Sequence, residues 1–147
     1  MKKIIFNTGS GLAPLPIRLL LAIVLFPHGA QKLVGWFNGY GFGGTMKFFT
    51  ETVGLPWIIG FLVIIIEFFG PLALVIGFAT RLWSVAILVV MTGIIFTTFT
   101  DYFFMNWFGN QKAEGFEFFL LVIGMSLSLV IYGAGRLSVD KAISKTK

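Results

Sequence analysis

The chain has no cysteine and a single histidine, His28, among its 147 residues. Disulfide exchange, thiolate nucleophiles, Cys-ligated zinc and iron–sulfur clusters are therefore excluded, as is haem held by two histidines of one chain. Charge is scarce too. Only 12% of residues are charged and 57% are hydrophobic, and several uncharged runs outlast any ordinary core helix. This is the composition of an integral membrane protein, with the lipid bilayer as its first partner. A net charge of +5 could suggest nucleic acid, yet the basic residues form no stripe and sit at the ends of apolar runs and in the tails. No nucleic-acid partner is expected.

What is present is a set of long apolar stretches. PWIIGFLVIIIEFFGPLALVIGFATR, from Pro56 to Arg81, carries one ionisable group between its ends, Glu67. At about 1.5 Å per residue it can cross a hydrocarbon core of about 30 Å, and Glu67 falls near the midplane, where a carboxylate needs a partner. Four spans are expected, at about 16–34, 57–79, 82–100 and 117–135, in one transmembrane domain covering 1–147. The first is the least apolar, since only Leu19 to Gln31 is free of Lys and Arg. Arg18 and Lys32 are expected to extend toward the two interfaces. Lys2 and Lys3 resemble the start of a secretory signal, but Arg18 interrupts the apolar region and no A-x-A-like cleavage site follows, so a retained amino terminus is expected.

Between the first two spans, GWFNGYGFGG is glycine-rich and aromatic, which suits an irregular interfacial loop. A short helix is expected from about Thr45 to Thr52, with Phe48 and Phe49 toward the membrane and Lys47 and Glu51 at i,i+4. Thr80 and Arg81 mark a tight turn between the second and third spans. The fold class is all-α, an integral membrane four-helix bundle. Eight basic residues (Lys2, Lys3, Arg18, Arg81, Arg136, Lys141, Lys145 and Lys147) fall on one side and Lys32, Lys47 and Lys112 on the other. Both termini are therefore expected in the cytoplasm, with the aromatic loops outside.

Helical spacing places Arg18, Leu21, Leu25, His28 and Lys32 on one stripe of the first span. It joins Gly60, Val63, Glu67, Gly70, Leu74, Gly77 and Arg81 on the second, where glycines favour close helix contact. A polar-and-small stripe of Glu117, Leu121, Gly124, Ser128 and Ile131 follows on the fourth; the third offers Ser84, Met91 and Thr98. Candidate catalytic residues are Glu67, His28, Lys32 and Glu117, gathered in the outer half of the bundle: a histidine beside acids can relay protons, and a desolvated carboxyl can hold one. The same cluster can equally be structural glue, because charges in lipid must pair. At the inner end Arg81 and Asp140 are expected to pair and tie the hairpin to the tail.

RLLLAIVLFPHGAQKLVGWF, EFFGPLALVIGFATR, FFMNWFGNQKAEGFEF and the terminal GAGRLSVD resemble, in order and spacing, the DoxX family of small bacterial membrane proteins. The likeness runs from about Pro16 to Asp140. It implies a four-helix bundle in the bacterial cytoplasmic (inner) membrane, and it places Arg18, His28, Gly29, Lys32, Glu67, Gly70, Arg81, Glu117 and Asp140 on the family's recurrent polar and glycine positions. Many relatives have a histidine near the end of the third helix and another two residues after the acid of the fourth. Thr98 and Phe119 stand there in this chain, so no metal site is expected.

The expectation for function is a membrane component of an oxidoreductase system, quinone-linked or serving oxidant defence, with a soluble or membrane redox protein as partner. Trp36, Phe37, Trp107 and Phe108 are candidates to wall a quinone ring, with His28 or Glu67 bonding a carbonyl or taking a proton. The alternatives are a non-catalytic scaffold that anchors a partner protein, and a small proton or solute pathway formed by a homo-oligomer.

Overall fold

The computed structural model describes residues 5–98, 101–112 and 114–145, with backbone alone at Thr98 and Lys145. Its secondary structure is helical: α1 (Pro14–Leu33), α2 (Gly41–Lys47), a π-helical turn (Phe48–Thr52), α3 (Trp57–Ile76), α4 (Thr80–Thr98), α5 (Glu117–Tyr132) and α6 (Val139–Lys145). Three helices, Pro14–Leu33, Trp57–Ile76 and Thr80–Thr97, are long and apolar enough to cross a membrane. The fourth apolar helix, α5, has 16 residues and ends sooner than the expected 117–135. Gly133, at φ +74°, turns the chain out of the helix, so α5 rises only about 24 Å.

Pro14 and Pro16 open α1 where missing backbone donors cost nothing. Helix α1 packs mainly on α3, α4 on α5, and α3 on α4. Leu21, Ala22, Leu25, Leu74, Ile87, Val90, Met91, Val122 and Leu129 form the core between them. The buried face of α5 is Val122, Ser126 and Leu129. The expected inward stripe is turned outward: Leu121, Gly124 and Ile131 are exposed.

The glycine-rich segment is more helical than expected, with α2 beginning at Gly41. Gly39 lies against the backbone of Gln31, where no Cβ would fit, so the chain folds back on the end of α1 and restarts as helix at once. The π-helical turn then closes with Val53 N–H donating to Phe48 O at 3.0 Å. Lys47 and Glu51 pair at 3.9 Å, both well exposed. Phe48 is exposed, whereas Phe49 does not face outward: it seats on Gly60 of α3, its Cδ2 3.1 Å from where a Cβ would stand.

At the opposite end two expectations are overturned. Arg18 is fully buried and does not reach for the interface. Its Nη1 donates to Leu74 O at 3.2 Å and its Nη2 to Leu137 O at 2.6 Å, because the chain brings carbonyls to it at the end of α3 and after α5. Gly77 makes the room, since a Cβ there would overlap the guanidinium. Asp140, also buried, does not pair with Arg81. Its Oδ1 accepts from Ala79 N–H at 2.7 Å and its Oδ2 from Thr80 N–H at 2.9 Å, which caps α4. Arg81 instead donates to Asn7 O and Ile131 O, both at 3.0 Å. The tail is thus joined to the α3–α4 hairpin by a cap, and Arg81 joins the amino-terminal segment to α5.

Of the basic residues used for orientation, Lys2, Lys3 and Lys147 lie outside the described residues.

Candidate functional site

Lys32 is the second-last residue of α1, and helical side chains lean toward their own amino terminus. Its ammonium therefore folds back into the bundle, where the expectation had it reach outward, and stands 2.5 Å from Glu67 Oε2. The angle falls outside hydrogen-bond geometry, so the contact is a charge pair. Glu67 is 3% exposed and Lys32 25%. The ammonium supplies the counter-charge that a carboxylate at this depth requires.

Two backbone features place Glu67. Pro71, four residues on, has no N–H to offer the Glu67 carbonyl, which is left outside the helical ladder. Gly29 of α1 lies directly against that carbonyl and against Phe68 Cα, with no space for a Cβ. The helices meet backbone to backbone there, and Lys32, one turn further along α1, comes over Glu67. Gly70, by contrast, faces Trp83 and Ile87 of α4, Gly60 faces Phe49, and Gly77 is a left-handed helix end. The glycines of α3 therefore serve three different contacts, and the closest helix approach uses the glycine of α1.

Beside the pair lies a cavity of about 450 Å³. Phe48, Phe49, Phe118 and Phe119 wall it, Leu25, Val63 and Met91 line its depth, and His28, Lys32, Glu67 and Glu114 bring polar groups to it. His28 is exposed at this cavity, its ring 6.1 Å from that of Phe118, and its imidazole nitrogens have no hydrogen-bond partner among the described residues. Three of the four sequence candidates, Glu67, His28 and Lys32, thus meet at one place.

Glu117 does not join them. Its Oε1 accepts from Met105 N–H at 3.0 Å and from Trp107 Nε1–H at 3.2 Å, so it anchors the loop before α5. Glu114 lines the cavity in its stead, its Oε2 accepting from Asn106 N–H at 2.9 Å. Trp36, Phe37, Trp107 and Phe108 are exposed and do not line the cavity. Trp36 packs edge-on against Phe26, and Trp107 and Phe108 border a separate cleft of about 350 Å³. Sequence reasoning missed Phe48, Phe49 and Phe118 as walls; they stand as adjacent aromatic pairs beside the charges Lys47 and Glu117, a signal that spacing alone does not rank. The side chain of Thr98 lies outside the described residues, while Phe119 lines the cavity.

The DoxX family model matches residues 13–100, a stretch holding α1 to α4 and with it Gly29, Lys32 and Glu67. The chain belongs to the DoxX family. It is similar to the Bacillus subtilis (strain 168) protein named "Putative oxidoreductase CatD", at 29% identity over 96% of this chain and 94% of that one. It is also similar to the Escherichia coli (strain K12) protein named "Inner membrane protein YqjF", at 32% identity over 88% of this chain and 94% of that one. No solved structure matches. Family membership and three apolar helices of spanning length make this DoxX protein a multi-pass protein of the bacterial inner membrane.

Proposed function

We propose that this DoxX protein is the membrane component of an oxidoreductase system, quinone-linked or serving oxidant defence, and that the cavity beside Lys32 and Glu67 takes a small quinone-like ring. In this reading α5 completes a bundle of four spans with both termini in the cytoplasm, which the distribution of basic residues supports. The observation that carries the proposal is the placement of the Lys32–Glu67 ion pair and of an imidazole with no hydrogen bond among the described residues on a cavity walled by four phenylalanines. At about 450 Å³ the cavity falls within the usual range of ligand sites, roughly 300–1,000 Å³, and its mix of apolar wall and few polar groups is typical of them.

A bound quinone supplies reversible two-electron, two-proton chemistry. The chain's own residues bind and orient the ring: the phenylalanines stack on it, and Lys32 offers an N–H to a ring oxygen while Glu67 balances its charge. His28 would give or take a proton at the ring's oxygen. The electrons pass to or from a partner redox protein, since a chain without cysteine and with one histidine has few groups to hold a redox centre of its own. The name of the Bacillus relative, "Putative oxidoreductase CatD", agrees with this reading.

Mass spectrometry of the protein extracted in native membrane patches tests it, with a Glu67→Gln variant alongside. Quinone retained by the parent and lost from a folded variant supports the site. One observation favours a second reading, a scaffold for a partner protein or a second copy: Leu121, Gly124 and Ile131 leave an open apolar face on α5. If parent and variant both hold the same protein and neither holds quinone, the scaffold reading replaces the first.

A further inference from the structure

A second cavity, of about 590 Å³, lies between the end of α1 and the α2–π segment. Gln31, Asn38, Thr45, Lys47, Glu51 and Thr52 bring polar groups to it, beside the apolar surface of Tyr40, Phe48 and Phe49. Three residues, Lys32, Phe48 and Phe49, line both this outer cavity and the inner one. The two chambers therefore adjoin at these three residues.

We propose that ligands reach the inner cavity from the water-facing side, through the outer chamber and across the waist formed by Lys32, Phe48 and Phe49. The proposal rests on the reading that the inner cavity holds a ligand, and it narrows the ligand's class. A route that sets amides, hydroxyls and an exposed Lys–Glu pair beside aromatic walls suits an amphipathic ring compound soluble in water, a phenol or short-chain quinone, better than a long isoprenoid tail. Lys32 at the waist meets the ring's oxygen as it passes. Phe49 at the waist packs on Gly60 of α3, which has no side chain to hold the ring in place. The rings sit on a π-helical turn, a local irregularity of the kind that recurs at functional sites.

The absence of native cysteine makes the route measurable by thiol labelling. Thr52→Cys marks the outer chamber, and Val63→Cys and Ile94→Cys mark two positions lining only the inner one. Each is exposed, in native membrane patches open on both faces, to an anionic sulfonated methanethiosulfonate and to an uncharged lipophilic maleimide. The anionic reagent is expected to label all three, and Phe49→Trp is expected to slow labelling of the two inner positions at least tenfold while leaving Thr52→Cys unchanged. Inner cysteines that react only with the lipophilic reagent, or at a rate indifferent to Phe49→Trp, overturn the route and place the opening on the lipid side. Two inner positions keep the test valid if one variant fails to fold. Labelling needs no bound quinone, so a closed waist leaves the ligand reading standing, and loss of quinone retention leaves the route standing.

Discussion

Gly29 of α1 meets the backbone carbonyl of Glu67 in α3 so closely that any side chain at position 29 would overlap it. The carbonyl is available because Pro71 cannot donate to it, and the approach brings Lys32 over the carboxylate. One small residue and one proline thus set the register of the ion pair.

Gly29→Ala is expected to force α1 and α3 apart and to cost about 1–3 kcal/mol, the usual range for overpacking. Gly124→Ala, with nothing within 4 Å of its Cβ position, is expected to be neutral or to gain a few tenths of a kcal/mol from helix propensity. Thermal unfolding of the two variants in one detergent checks the contrast. Equal losses would mean that the helix contact at Gly29 is not tight.

Breaking the ion pair from one side leaves the other charge unpartnered. Lys32→Met and Glu67→Gln are each expected to destabilise by about 1–3 kcal/mol, less than for a fully buried pair because a quarter of Lys32 is exposed. The double variant is expected to lose less than the sum. A double-mutant cycle on unfolding midpoints gives the coupling directly, and strict additivity would show that the two charges do not interact.

Asp140→Ala removes the acceptors for Ala79 and Thr80 N–H, and a loss of about 1–2 kcal/mol is expected, with Asp140→Asn milder because one acceptor remains. Arg18→Lys should be as harmful, since an ammonium cannot serve two carbonyls in the fork geometry of the guanidinium. Limited proteolysis of the carboxy-terminal segment reports both, as earlier cleavage.

Glu117→Ala is expected to loosen the loop before α5, freeing Met105 N–H and Trp107 Nε1–H and shifting Met105 and Glu114 at the edge of the cavity, while the Lys32–Glu67 pair stays in place. Trp107 fluorescence and loop proteolysis should change clearly, while quinone retention falls much less than in Glu67→Gln. A loss of retention equal to that of Glu67→Gln would return Glu117 to the site.

The helices and the meeting of His28, Lys32 and Glu67 were legible in the sequence because apolar runs and steps of three and four are properties of neighbouring residues on one element. The directions of the long charged side chains were not. Arg18 and Lys32 turn inward because the bundle presents carbonyls to one and a carboxylate to the other, and those acceptors come from segments far away in the chain. Asp140 looked like an ion-pair partner for Arg81, but two backbone donors at the start of α4 outcompete a guanidinium that finds carbonyls elsewhere. The aromatic walls were misplaced for a similar reason. Trp36, Phe37, Trp107 and Phe108 look suited to a ring ligand by type, yet the α2–π segment packs Phe48 and Phe49 under the loop and α5 supplies Phe118 and Phe119.

The most direct test of the central claim is a titration of purified protein with a short-chain quinone, followed by calorimetry for the parent, Glu67→Gln and Glu117→Gln. The account predicts saturable binding by the parent, at least tenfold weaker binding by Glu67→Gln, and parent-like binding by Glu117→Gln. Equal binding by all three, or none by the folded parent, would contradict it.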